Sequence, residues 1–149
     1  MDGYIRYKIL PELNLIIEYY GGKINLDDVI CHKRLEIKDL EYNGNYHFIA
    51  DLRDVELNVS IQDITDYLHF VKKNNQVIGQ RNSAILTNSP NQVAITTLFK
   101  MKGENLPVGY EVFSTLEAAI EWINLSSNYC DIIEEIIRNM KKKSSQPKV

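Results

Sequence analysis

Three times in this chain a short apolar run leads, within a few residues, into a signal that starts a helix. Residues 46–51 are followed by Ser60 with Asp63 three positions on. Residues 83–87 are followed by Ser89-Pro90-Asn91-Gln92, and residues 109–113 by Ser114-Thr115-Leu116-Glu117. In each signal a hydroxyl accepts a bond from an unpaired N–H of the first helical turn, and an acid or amide three residues later returns one. Pro90 fits the first helical position, where its missing N–H has no partner to lose. Strand followed by helix, repeated, predicts a mainly parallel sheet, because parallel neighbours must be joined by a crossover and a helix supplies it.

The amino-terminal part differs. Residues 4–10 and 13–20 read as two strands punctuated by Pro11-Glu12, which makes a hairpin and an antiparallel first strand. Gly21-Gly22 is expected to end the second strand, and Asn25 to cap a helix with Asp27 and Asp28 in its first turn. Leu26, Val29, Ile30, Leu35 and Ile37 supply an apolar face, the helix ending near Asp39; Tyr42-Asn43-Gly44-Asn45 reads as a turn. Ile61, Ile64, Leu68 and Val71 form the face of the helix after Ser60. Val93, Ala94, Thr97, Leu98 and Met101 form that of the next, which Gly103 terminates, and Ala118, Ala119, Trp122 and Ile123 mark a fourth.

After Ser126-Ser127-Asn128 comes a stripe of Tyr129, Ile132, Ile133, Ile136, Ile137 and Met140 at three- and four-residue steps. Such a stripe must be covered, either by the domain's own sheet and helices or by a second copy in a homodimer. The organisation is therefore a single α/β domain over residues 1–125, with residues 126–149 adding an amphipathic helix and a polar, disordered tail from Ser144 to Val149. A chain of 149 residues with 44% hydrophobic content suits one core and leaves no room for a second domain.

A net charge of -3 argues against a nucleic-acid partner. The one basic cluster, Lys141, Lys142, Lys143 and Lys148, suits a helix carboxyl end. Met1-Asp2-Gly3-Tyr4 does not open a secretory signal, and no run has membrane-spanning length, so a cytoplasmic protein is expected. Cys31 and Cys130 lie far apart without CxxC spacing and read as reduced thiols, Cys31 as a small buried helical residue. His32, His47 and His69 are scattered, and neither a metal nor a cofactor is expected.

Polar residues gather at the junction after the third strand. Asp51, Arg53, Asp54, Glu56, Asn58 and Ser60, with Asn88 and Ser89 from the next strand's exit, make a candidate interaction or ligand loop, since ligands collect beyond the carboxyl ends of parallel strands. Within it, Ser60 suits a helix cap and Asp51 or Asp54 suits an ion pair with Arg53. Tyr19, Tyr20, Tyr42 and Tyr46 read as packing residues rather than a ligand cage. No catalytic residues are expected: there is no GxSxG elbow, phosphate-binding glycine loop or dinucleotide fingerprint, and a receiver-type acidic pair and lysine are missing.

Three segments carry a resemblance. Tyr20-Gly21-Gly22-Lys23-Ile24-Asn25, Asp51-Leu52-Arg53-Asp54-Val55 and Val112-Phe113-Ser114-Thr115-Leu116-Glu117-Ala118-Ala119-Ile120-Glu121-Trp122-Ile123 resemble the SpoIIAA-like branch of the STAS superfamily, sometimes described as STAS/SEC14-like, of uncharacterised bacterial proteins. The resemblance implies a mixed, mainly parallel sheet with helices packed on it. It also implies a non-enzymatic regulatory or protein-interaction domain similar to anti-sigma factor antagonists, acting on a protein partner. In those antagonists a serine in the loop after the aspartate-leucine strand is phosphorylated; here the stretch is Asn58-Val59-Ser60, with Val59 at the acceptor position. The SEC14-like side implies an alternative, a carrier or sensor of a small apolar ligand or lipid, which a deep apolar cavity would favour.

Overall fold

In a computed structural model that describes residues 2–143, five strands form one sheet in the order β1-β2-β3-β4-β5. β1 (Tyr4–Leu10) pairs antiparallel with β2 (Leu15–Asn25), and β3 (His47–Asn58), β4 (Arg81–Leu86) and β5 (Val108–Phe113) add in parallel. The helices are α1 (Leu26–Glu36), α2 (Ile61–Lys73), α3 (Pro90–Lys102), α4 (Leu116–Trp122) and α5 (Cys130–Lys143). The mixed, mainly parallel sheet expected from the sequence is the observed one.

The topology dictates the layers. Each parallel pair is adjacent and the sheet grows in one direction, so crossovers of one hand put α1, α2 and α3 on the same face. α4 and α5 take the other. Alternate residues of β2 serve the two layers: Leu15, Ile17 and Tyr19 pack with Leu116, Ile120, Ile133 and Ile137, whereas Ile16 and Tyr20 belong to clusters on the α1 side. The α5 stripe is thus covered from within the chain. Ile133, Ile137 and Met140 are buried and Ile136 is half-buried, while Tyr129 and Ile132 remain exposed.

Several boundaries depart from the expectation. β2 does not stop at Gly21-Gly22, and β3 does not stop at Asp51: a register shift between Tyr19 and Gly21 lets both continue, pairing Gly21–Asn25 with Asp54–Asn58. Gly22 allows the irregularity with φ of 70°, and a side chain there would strike the Asp2 carbonyl. The segment read as a loop is therefore strand, and its alternation says why: Val55 is buried while Asp54, Glu56 and Asn58 are exposed. α1 ends at Glu36 and gives way to turns through Tyr42. Cys31 is exposed, not buried.

α3 is rotated from the expected face. Val93, Ala94, Thr97 and Met101 are exposed, and the buried positions are Gln92 and Thr96. Hydrophobicity could not reveal this, because the helix docks through a polar bond: Gln92 Nε2 donates to the carbonyls of Val55 at 3.0 Å and Arg53 at 3.4 Å, and its Oε1 accepts from the Asn88 N–H. The capping bond from Gln92 thus falls one residue before Ser89. In α4 the cap is Thr115, not Ser114. The expected caps Asn25 and Ser60 form complete reciprocal boxes with Asp28 and Asp63. The tail from Ser144 to Val149 lies outside the described residues.

Because Ile133 is fully enclosed against β2 and Ile132 faces outward, Ile133→Ala is expected to cost about 2–5 kcal/mol in urea unfolding. Ile132→Ala should cost less than about 1 kcal/mol. Equal losses would mean that the stripe is covered differently.

Candidate functional site

The α1 face of the sheet carries charge where a core is expected. Glu18 interrupts the apolar run of β2, and the strand alternation aims it at α1. There His32, Lys33 and Glu36, one helical turn apart, are buried with it. Lys33 Nζ donates to Glu18 Oε2 at 2.7 Å and Glu36 Oε1 at 3.4 Å, and His32 Nε2 lies 3.2 Å from Glu18 Oε2 and 2.9 Å from Glu36 Oε2. The Tyr20 hydroxyl donates to the remaining Glu18 oxygen at 3.0 Å.

These groups set one another's protonation. Burial would raise Glu18, but Lys33 and then His32 hold it well below the usual carboxylate range. Burial would lower Lys33 as well; Glu18 and Glu36 hold it well above its ordinary value. His32 is pushed up to about 8 because its bonds to Glu18 and Glu36 outweigh burial. Glu36 rises to about 7, through burial and the neighbouring Glu18 charge. Glu18, His32 and Glu36 also offer three ligand atoms within 4.8 Å of one another. The Lys33 ammonium already stands against the same oxygens, so a divalent cation would have to displace it.

Beside this cluster a cavity of about 150 Å³ opens between the sheet and α1, α2 and α3. Its walls are mostly apolar and aromatic, with Leu26, Val29, Leu52, Ile64 and Ile85 among them. Tyr67, Phe99 and Tyr110 form one continuous wall, with ring centroids 5.4 Å and 4.7 Å apart. Glu18, Lys33, Arg81 and Ser83 supply polar lining. Arg81, at the start of β4, is buried, lies 4.3 Å over the Phe48 ring, and donates to the carbonyls of Gly44 at 2.8 Å and Val77 at 3.0 Å. His32 and Glu36 are not among the lining residues, so the groups with the most catalytically useful pKa values do not face the cavity.

The expected loop residues are distributed differently. Asp51 is buried and accepts two side-chain bonds from Arg53, at 3.0 and 2.9 Å. Asp54 accepts from the Tyr19 hydroxyl at 2.6 Å and pairs with Lys141 of α5 at 3.1 Å. Burial would raise the Asp54 carboxyl, but these two partners hold it below its usual value. Glu56 is exposed and lies 3.6 Å from Lys23; Asn58 ends β3, and Ser60 caps α2. Asn88 and Ser89 border a shallow groove with Thr87, Val93, Ala94 and Ser114. Val59 lines the cavity instead of standing in an open loop.

Sequence reasoning passed over Glu18, His32, Lys33, Glu36 and Arg81. A signal existed: a lone acid inside a branched, aromatic strand, and His32 and Glu36 spaced i, i+4 on the following helix. Reading α1 for apolar periodicity alone discarded it. Leu35, counted on the apolar face, is 62% exposed.

No family model and no curated protein matches the sequence. Among solved structures, the chain is similar to an uncharacterised protein of the DUF3478 family from Shewanella loihica PV-4, described as having a SpoIIAA-like fold. The TM-score is 0.55 and the identity 15%, over 81% of this chain and 93% of that one. The chain has a SpoIIAA-like fold. Among the described residues no helix is long and apolar enough to cross a membrane.

The cluster has a pH signature. His32 is raised from 6.5 to about 8 and Glu36 from 4.5 to about 7, so the folded state binds more protons than the unfolded state between these values. Stability should therefore fall as pH rises through that window. The His32 part is of order 2 kcal/mol, present below its ordinary pKa and lost as pH passes its folded value. His32→Gln should remove the part of the decline between about pH 6.5 and 8 in denaturant midpoints. A wild-type profile that is flat or rises there would contradict the assigned charges.

Proposed function

We propose that this domain is a non-enzymatic sensor or carrier of a small, largely apolar ligand, held in the cavity between the sheet and α1, α2 and α3. The observation that carries the reading is the cavity itself. A volume of about 150 Å³ with apolar and aromatic walls matches what accommodates one benzene-sized ring. It is smaller than the roughly 300–1,000 Å³ of sites for drug-sized molecules, which favours a compact ligand over a whole phospholipid. The setting of the perturbed acid and histidine, behind the wall, favours binding over catalysis.

A second reading, a regulatory surface for a protein partner, has one specific observation in its favour. The groove at Asn88 and Ser89 adjoins Val93 and Ala94 on the exposed side of α3, beyond the carboxyl ends of the strands. Asp51, Arg53 and Asp54 contribute less to such a surface, since their polar groups are engaged within the domain. A phosphorylated switch has little support, because the Ser60 hydroxyl accepts the Asp63 N–H and Val59 is turned into the cavity lining. A homodimer through this stripe would have to use Tyr129 and Ile132, its exposed remnant, since Ile133, Ile137 and Met140 are buried within the chain.

Titration with benzene, followed by amide NMR shifts, tests the leading reading. Saturable shifts are expected at Ile64, Ile85 and Phe99, and Val29→Phe, which places a ring in the cavity, should abolish them. Shifts that are absent, or that persist unchanged in the filled variant, would refute it.

A further inference from the structure

The charge around the cavity is not balanced at every point. Glu18 is neutralised locally: one oxygen takes the Lys33 ammonium and His32, and the other takes the Tyr20 hydroxyl. Asp63, the other acid in the lining, is engaged at the α2 N-terminus, where its carboxylate accepts the Ser60 N–H. Arg81 is different. It is 7% exposed, yet among the described residues no carboxylate approaches its guanidinium within salt-bridge distance. Its bonds go to the carbonyls of Gly44 and Val77 and, at 3.4 Å, to Ser83 Oγ. A buried cation held only by neutral dipoles and the face of the Phe48 ring has no counter-charge of its own, and an anion supplies one.

Two hydroxyl groups stand at the same chamber. Tyr67 and Tyr110 line the cavity, and among the described residues their hydroxyls have no hydrogen-bond partner. Burial raises both phenols, and both lie near enough to Lys33, Arg81 and Glu18 to feel their charges. A guanidinium with two phenolic donors on an aromatic wall is a receptor for a small charged acceptor attached to an apolar body. Near pH 6.5 His32 is protonated and Glu36, raised to about 7, is mostly neutral, so the groups around the chamber count three positive, His32, Lys33 and Arg81, against two negative, Glu18 and Asp63. That leaves one positive charge uncompensated.

We propose that the cavity takes a small organic monoanion, an aromatic or short branched carboxylate. Its charged end pairs with Arg81 and the hydroxyls of Tyr67 and Tyr110, and its body lies against Phe99 and Ile64. This rests on the ligand-binding reading above and adds to it the chemical class of the ligand. The carboxylate reaches toward the amino end of β4, and the apolar part extends toward α2, away from Glu18, whose charge is already met.

Benzoate and nitrobenzene are close in shape and differ in charge, so a paired NMR titration of the full chain near pH 6.5 separates the two claims. Benzoate is expected to bind at least tenfold more tightly than nitrobenzene, with shifts centred on Ser83, Ile85 and Phe99. Tyr67→Phe should weaken benzoate several-fold and leave nitrobenzene unchanged, and Arg81→Met should abolish the preference altogether. The tyrosine variant keeps the test decisive should the arginine variant fail to fold. Equal binding of the two probes, or a benzoate preference untouched by Tyr67→Phe, would overturn the anion assignment while leaving the cavity reading intact. Binding of neither probe would overturn both.

Discussion

A carboxylate on an interior strand, facing the core, is the constraint on which the α1 side of this protein depends. Glu18 cannot reach water from β2, and an ionised acid buried alone would cost several kcal/mol. α1 meets that demand by presenting Lys33 and His32 to the sheet, and Glu36 balances the two cations in turn. Buried ion pairs of this kind contribute little net stability compared with apolar packing, but they tolerate few alternative geometries. The rotation of α1 on the sheet follows from the match of three side chains to one strand position. Because these polar heads, not bulky apolar groups, face the sheet here, the space beside them is lined rather than filled.

The opposite face solves its polar problems separately. Asp51 and Arg53 form a paired fork on β3, and Tyr19, Asp54 and Lys141 tie β2, β3 and α5 together. This α/β topology commonly gathers ligands beyond the strand ends. In this chain most polar groups of that region have partners and the groove there is open, whereas the more enclosed space lies under the helices. Fold likeness to an uncharacterised SpoIIAA-like protein fits that picture without assigning an activity to it.

Much of the architecture was legible because it rests on local chemistry. Asn25, Ser60 and Ser89 mark helix starts through bonds made within four residues, and β4 and β5 are short apolar runs between turns. The hairpin was legible for the same reason. The continuation of β2 and β3 past Asp51 depends on a register shift between two strands, which neither strand shows alone. The face of α3 was misread because Gln92, a polar residue, makes the docking bond. The charged cluster was passed over because Glu18 and α1 meet only after folding, and hydrophobic periodicity in α1 draws no attention to Lys33 and Glu36.

The most direct measurement of this core is the NMR titration of the His32 ring. A histidine shared between two buried carboxylates should titrate near 8, above its ordinary 6.5. A midpoint near 8 is the expected result, with the Glu36 carboxyl carbon showing its own step near 7. A His32 midpoint at or below 6.5 would mean that the ring is buried without its carboxylate partners, contradicting the charged network on which the site is built.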